Sequence, residues 1–196
     1  MTTATARQAV RELERVRAAV IMYPARGWDV PPGSVWDGQR YTLGHTPTPA
    51  EGLGPVMLSG RTLRTSREVW SWWSVAAYAV LARAGEDFDV LTAPARLVAA
   101  AVEPADSAVR SCPVMVSPDR ISAALLVRTG SRLRWDLHGV PGVALLRDGA
   151  LVALPPTRTE RGEWSWWLDP FDGYRPGLSG AVQKALRVAA DGIGRA

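Results

Sequence analysis

The chain has 196 residues, 47% hydrophobic and 21% charged, a balance that excludes a disordered or fibrous protein and is long enough to enclose a sizeable core. Its formal charge is +4, and Lys184 is the only lysine among 23 basic residues; the arginine bias suits phosphate binding and is equally what a GC-rich genome encodes, so it permits a nucleic-acid partner without demanding one. Cys112 stands alone, which excludes an internal disulfide and a zinc site built on this chain's cysteines. With no signal-peptide core and no apolar run of about 18 residues, the expectation is a single cytoplasmic domain with no membrane partner.

In chain order, Ala6, Val10, Leu13, Val16, Val20 and Ile21 recur at helical spacing among Arg7, Arg11, Glu12, Glu14 and Arg15, which predicts an amphipathic helix over residues 1–23 stopped by Pro24. Residues 24–60 are rich in proline and glycine and read as a connecting region with short strands near Trp28–Val30 and Pro55–Leu58. The core, residues 61–172, opens with a helix over Ser66–Trp73 capped by Ser66. Ala77–Leu81 and Phe88–Leu91 have strand length and flank Arg83, Ala84, Gly85 and Glu86, which predicts a hairpin. Pro94 leads into a helix over Ala95–Val102 that Pro104 ends. Val114–Val116, Ala123–Val127, Gly142–Leu146 and Ala150–Leu154 read as strands, the last two joined by Arg147, Asp148 and Gly149 in a second hairpin whose Asp-Gly supplies the positive φ angles. Trp164–Leu168 adds a strand, and residues 173–196 hold a helix over Ser179–Ala190. This order predicts an α+β fold, a mixed sheet flanked by helices, rather than regular βα alternation.

Several residues could carry chemistry. Asp87 and Asp89 stand two apart at a strand start, on one face, where a pair of carboxylates can hold a divalent cation; solvated turn acids have the same spacing. Pro155 and Pro156 force a rigid exit from a strand and would present the Thr157 hydroxyl and the Arg158 fork to a phosphate, as a surface turn would too. Nine tryptophans include two Trp-Ser-Trp-Trp runs, at Trp70–Trp73 and Trp164–Trp167. Most are expected in the core, and any exposed indole near arginines would serve as a stacking platform for single-stranded bases. His138 precedes a Gly-rich segment and could face a site. The sequence holds no phosphate loop and no dinucleotide fingerprint.

Taken together the segments resemble the bifunctional DNA primase/polymerase (Prim-Pol) domains of the actinobacterial type. The resemblance runs through Gly27, Trp28, Val30, Pro32 and Gly33, then a tryptophan-bearing helix, then the strand Gly85, Glu86, Asp87, Phe88, Asp89, Val90, Leu91, Thr92, Ala93, Pro94. It continues through Pro113 and Val114, Asp136 and Leu137 with Gly139 or Gly142, and Leu154, Pro155, Pro156, Thr157, Arg158, followed by Gly162 and Trp164. It covers roughly residues 5 to 172.

It implies a primase-polymerase fold and metal-dependent nucleotidyl transfer on a DNA template in replication or repair. Asp87 and Asp89 would be the catalytic pair holding Mg²⁺ or Mn²⁺. Arg128, Ser131, His138, Thr157 and Arg158 would contact DNA or nucleoside triphosphates, with a helicase or replication protein as a partner in trans. Thr92 stands where the family strand carries a second acid, and Thr129, Gly130, Ser131 are followed by Arg132 rather than by the family's nucleotide-binding histidine. These departures open a second expectation, a catalytically degenerate Prim-Pol-like domain that binds single-stranded DNA or a protein partner without polymerising.

Overall fold

The computed structural model describes residues 3–57, 63–173 and 175–194. Helix α1 (Thr3–Val20) buries Val16 and Val20, one turn apart, and turns Arg11, Glu14 and Arg15 outward. It ends before Pro24, which sits instead inside the short helix α2 (Met22–Ala25), where the missing N–H has no ladder partner to lose. Strands β1 (Pro32–Gly33), β2 (Val35–Trp36) and β3 (Tyr41–Thr42) follow. Trp28–Val30 forms no strand, because the extended pairing begins only at Pro32, opposite Val80. Pro55 makes a single bridge to Gly33, and Leu58 lies outside the described residues.

Helix α3 (Ser66–Trp73) has the expected bounds, but its cap is Thr65 rather than Ser66. The Thr65 hydroxyl accepts from the Glu68 amide at 3.2 Å, and the Glu68 carboxylate accepts from the Thr65 amide at 3.1 Å, a reciprocal arrangement that satisfies two helix-end donors. The remaining elements are β4 (Ala79–Arg83), β5 (Asp89–Pro94), α4 (Ala95–Val102), β6 (Val114–Val116), β7 (Ser122–Val127), β8 (Ala144–Leu146), β9 (Leu151–Leu154), β10 (Arg158–Thr159), β11 (Gly162–Glu163), β12 (Ser165–Leu168) and α5 (Ser179–Ile193). Ser107 caps a 3₁₀ turn at Ala108–Ser111, and another 3₁₀ turn spans Trp135–Leu137.

The fold is α+β with antiparallel sheets. One sheet has the order β1-β4-β9 and another β12-β6-β7-β5-β8, beside the two-stranded ribbons β2-β3 and β10-β11. Neither expected hairpin forms. Strands β4 and β5 belong to different sheets, and so do β8 and β9. The turn chemistry is as expected, with Asp148 at φ 55° and Gly149 at φ 84°, yet the two turns bond to each other: the Ala84 amide donates to the Ala150 carbonyl at 2.9 Å and the Gly149 amide to the Ala84 carbonyl at 2.8 Å. Gly85 has φ 94° there, and a Cβ on it would stand 2.8 Å from the Asp148 amide nitrogen, so only glycine fits that crossing.

These crossings coincide with the boundaries of two compact units. The first comprises Met1–Ala82 and Leu151–Glu163, the second Arg83–Ala150 and Trp164–Ala196. In the first, Tyr23, Trp73, Tyr78 and Val80 are buried, and the Trp73 indole N–H donates to the Tyr78 carbonyl at 2.8 Å. In the second, Leu91 and Ala93 of β5, Leu125 and Val127 of β7, Leu97 and Val98 of α4, and Val182 and Leu186 of α5 form one cluster. Each of these leucines and valines contributes about 1.5–3 kcal/mol by leaving water. Among the described residues no helix is long and apolar enough to cross a membrane.

Candidate nucleic-acid interface

Asp89 opens β5. Strand alternation puts it on the face of Leu91 and Ala93, and it is 1% exposed. Its Oδ2 accepts from the Ser131 amide at 2.8 Å, so the carboxylate holds the loop that leaves β7. That loop is fastened at two further places. The Arg128 amide donates to the Gly177 carbonyl at 2.9 Å. Gln183 on α5, 1% exposed, accepts from the Arg134 amide at 2.7 Å and donates through Nε2 to the Arg132 carbonyl at 2.9 Å and to Ser179 Oγ at 2.7 Å. A buried amide side chain between two backbone groups satisfies both where water cannot reach.

Held from beneath in this way, the loop turns its side chains outward. Arg128, Thr129, Arg132, Arg134 and His138 are exposed, and Trp135 is 86% exposed. Leu137, fully buried, plugs the following 3₁₀ turn into the unit. Arg134 forms a forked pair with Asp136, at 3.1 and 2.8 Å. The hydrogen bonds from Arg134 hold the Asp136 carboxyl below its ordinary range, and Arg187 Nη1 donates to the Asp136 carbonyl at 3.0 Å. Among the described residues no ion pair involves Arg128 or Arg132, and no ring or guanidinium stacks on Trp135.

The other residues singled out from sequence have different surroundings. Asp87 is exposed in the bend before β5. Thr92 donates from Oγ1 to the Ala144 carbonyl at 3.2 Å; three positions from Asp89 in one continuous ladder, it faces the other side of the sheet, so even an acid there could not share an ion with Asp89. Asp89 is thus buried and engaged and Asp87 exposed, and among the described residues no group of three or more His, Cys, Asp and Glu gathers.

Thr157 is 1% exposed. Its hydroxyl accepts from the Val80 amide at 2.8 Å and donates to the Val80 carbonyl at 3.0 Å, bonding the chain after β9 to the central strand β4. Arg158, in that same unit, lies 3.6 Å from Glu12 and 3.8 Å from Glu163, carboxylates that Arg15 also grips at 2.8 and 2.5 Å. The hydrogen bond from Arg15 pulls the Glu12 carboxyl below its ordinary range, and it raises the Arg15 guanidinium further.

Trp135 and Gln183 were not among the residues picked out from sequence. A tryptophan directly after Arg132, Leu133 and Arg134, with Asp136 beyond it, was the available signal: an isolated indole in a polar loop has no neighbours at helical or strand spacing to bury it. Comparison with protein-family models, with curated proteins and with solved structures finds no match.

Proposed function

We propose that the chain is a Prim-Pol-like domain that binds single-stranded DNA through the loop Arg128–Trp135 and does not polymerise. The observation that carries this is an indole 86% exposed on a loop whose Arg128 and Arg132 have no carboxylate partner among the described residues. A base laid on such an indole gains about 1–3 kcal/mol of stacking, whatever its identity. The arginines meet the flanking phosphates, the pairing for which a guanidinium fork is shaped. Because Asp89, Gly177 and Gln183 hold the loop backbone before any ligand arrives, little conformational entropy is lost on binding.

The absence of polymerisation is supported by the occupation of the strand that carries the family resemblance. Asp89 is buried and spends its carboxylate on the Ser131 amide. The acid that aligns with the family strand thus works as a loop anchor. Fluorescence anisotropy of a labelled oligothymidylate, titrated at low and moderate salt, tests the binding; salt-sensitive affinity is expected. Primer synthesis with Mg²⁺ or Mn²⁺ and nucleoside triphosphates tests the rest, with no incorporation expected. Incorporation that disappears in Asp89→Asn would restore the metal-holding role of Asp87 and Asp89 and make the domain a polymerase.

A further inference from the structure

At the other end of β5 from Asp89 lies a second concentration of arginine and tryptophan. A groove of about 370 Å³ is bounded by Arg96 and Ala99 of α4, Arg120 in the turn between β6 and β7, and Trp166 and Trp167 of β12. Arg96 follows Pro94 by two residues, so the length of β5, about 17 Å at roughly 3.3 Å per residue, separates the groove from the Asp89 end. Ala99, three residues after Arg96 on the same helix face, presents only a methyl group and leaves the floor open. Among the described residues neither Arg96 nor Arg120 is in an ion pair.

Arg120 stands in the left-handed backbone region, at φ 57°, which glycine adopts freely and a residue with a Cβ does not. The turn forces this conformation. The Ser117 amide donates to the Ser122 carbonyl at 3.0 Å, the Arg120 amide to the Ser117 carbonyl at 2.9 Å, and Asp119 Oδ1 accepts from the Ile121 amide at 3.0 Å and from Ser117 Oγ at 2.6 Å. A strained position that carries arginine where glycine would relax it points to use of the side chain.

We infer that this groove binds a nucleoside monophosphate, its base against the indole of Trp167, 41% exposed, and its phosphate between the guanidinium groups of Arg96 and Arg120. A bare anion would leave the Trp167 indole without a contact, and an apolar ligand would cover two cations with nothing to answer them. The volume lies near the lower end of small-molecule sites, which fits one nucleotide and not a strand. The site uses no residue of the strand-binding loop and stands or falls independently of it.

Isothermal titration of the full chain with adenosine 5′-monophosphate tests the inference. Saturable binding is expected, with adenosine alone and inorganic phosphate alone each at least tenfold weaker. Arg120→Gly is expected to lose at least tenfold in affinity for the monophosphate while its melting temperature stays level or rises, and Trp167→Ala, expected to weaken the nucleotide but not inorganic phosphate, tests the base contact separately. Trp135→Ala is expected to bind the monophosphate as the parent does. Absence of binding, phosphate binding as tightly as the nucleotide, or an Arg120→Gly variant with undiminished affinity would each overturn the assignment.

Discussion

Arg158 and Arg128 carry the same charge in opposite circumstances. In the first unit, Arg15 and Arg158 share Glu12 and Glu163, two cations balanced by two anions, and the exposed Trp70 has the Arg17 guanidinium 4.2 Å from its ring centroid. In the second unit, among the described residues, Arg128 and Arg132 have no such carboxylates and Trp135 has no such cover. A charge already answered within its own unit gains little from a phosphate, because binding must first break what it has. The net charge of +4 therefore says less about function than the placement of a few guanidinium groups.

The contrast can be broken at its support first. Gln183→Leu would leave the Arg134 amide and the Arg132 carbonyl without their buried partner, at about 1–3 kcal/mol for each unsatisfied group. Urea unfolding should show a loss of about 3 kcal/mol, with weakened oligothymidylate binding as the loop loosens. Trp135→Ala should cost about 1–3 kcal/mol in single-strand affinity and leave the melting temperature unchanged, since the side chain is 86% exposed; an unaltered affinity would remove the stacking role. Arg128→Ala and Arg132→Ala should each weaken binding and lower the salt slope by about 0.7 for every phosphate no longer neutralised.

Arg158→Ala sharpens the comparison from the other side. Single-strand affinity should be unchanged and stability should fall by less than about 1 kcal/mol, the range of exposed ion pairs. The smallest effect belongs to Glu12. Its carboxyl titrates below the ordinary 4.5, chiefly through the hydrogen bond from Arg15, so its contribution is complete above that pH and vanishes as pH falls through the lowered value. Glu12→Gln should be less stable than the parent by under about 1 kcal/mol at pH 7, and the two melting curves should converge in acid.

Much of the local structure could be read in advance, and for local reasons. The bounds of α3 and α4 follow from a threonine-serine start, a proline before the first turn and apolar residues at helical spacing. The Asp-Gly turn adopts its positive φ angles because those residues tolerate them in any context. The partners of each strand could not be read this way. Ala84 and Ala150 are 66 positions apart, and their pairing sends β4 and β5, and likewise β8 and β9, into different sheets; a turn specifies a change of direction and leaves the choice of neighbour to long-range burial.

The candidate site divides in the same manner. The spacing of Asp87 and Asp89 was visible, and so was the possibility of an indole near arginines. That Asp89 spends its carboxylate on the Ser131 amide, that Thr157 bonds the central strand β4, and that Trp135 is the most exposed indole among the described residues depend on contacts across tens of residues. Sequence by itself determined the α+β character, the limits of α3 and α4 and the turn positions, all set by interactions within a few residues, whereas α1 ends at Val20, Pro24 falls inside α2 and α5 runs on to Ile193. Tertiary structure alone decided which charges are paired and which side chains are buried, because burial and ion pairing are made between segments the chain order keeps apart.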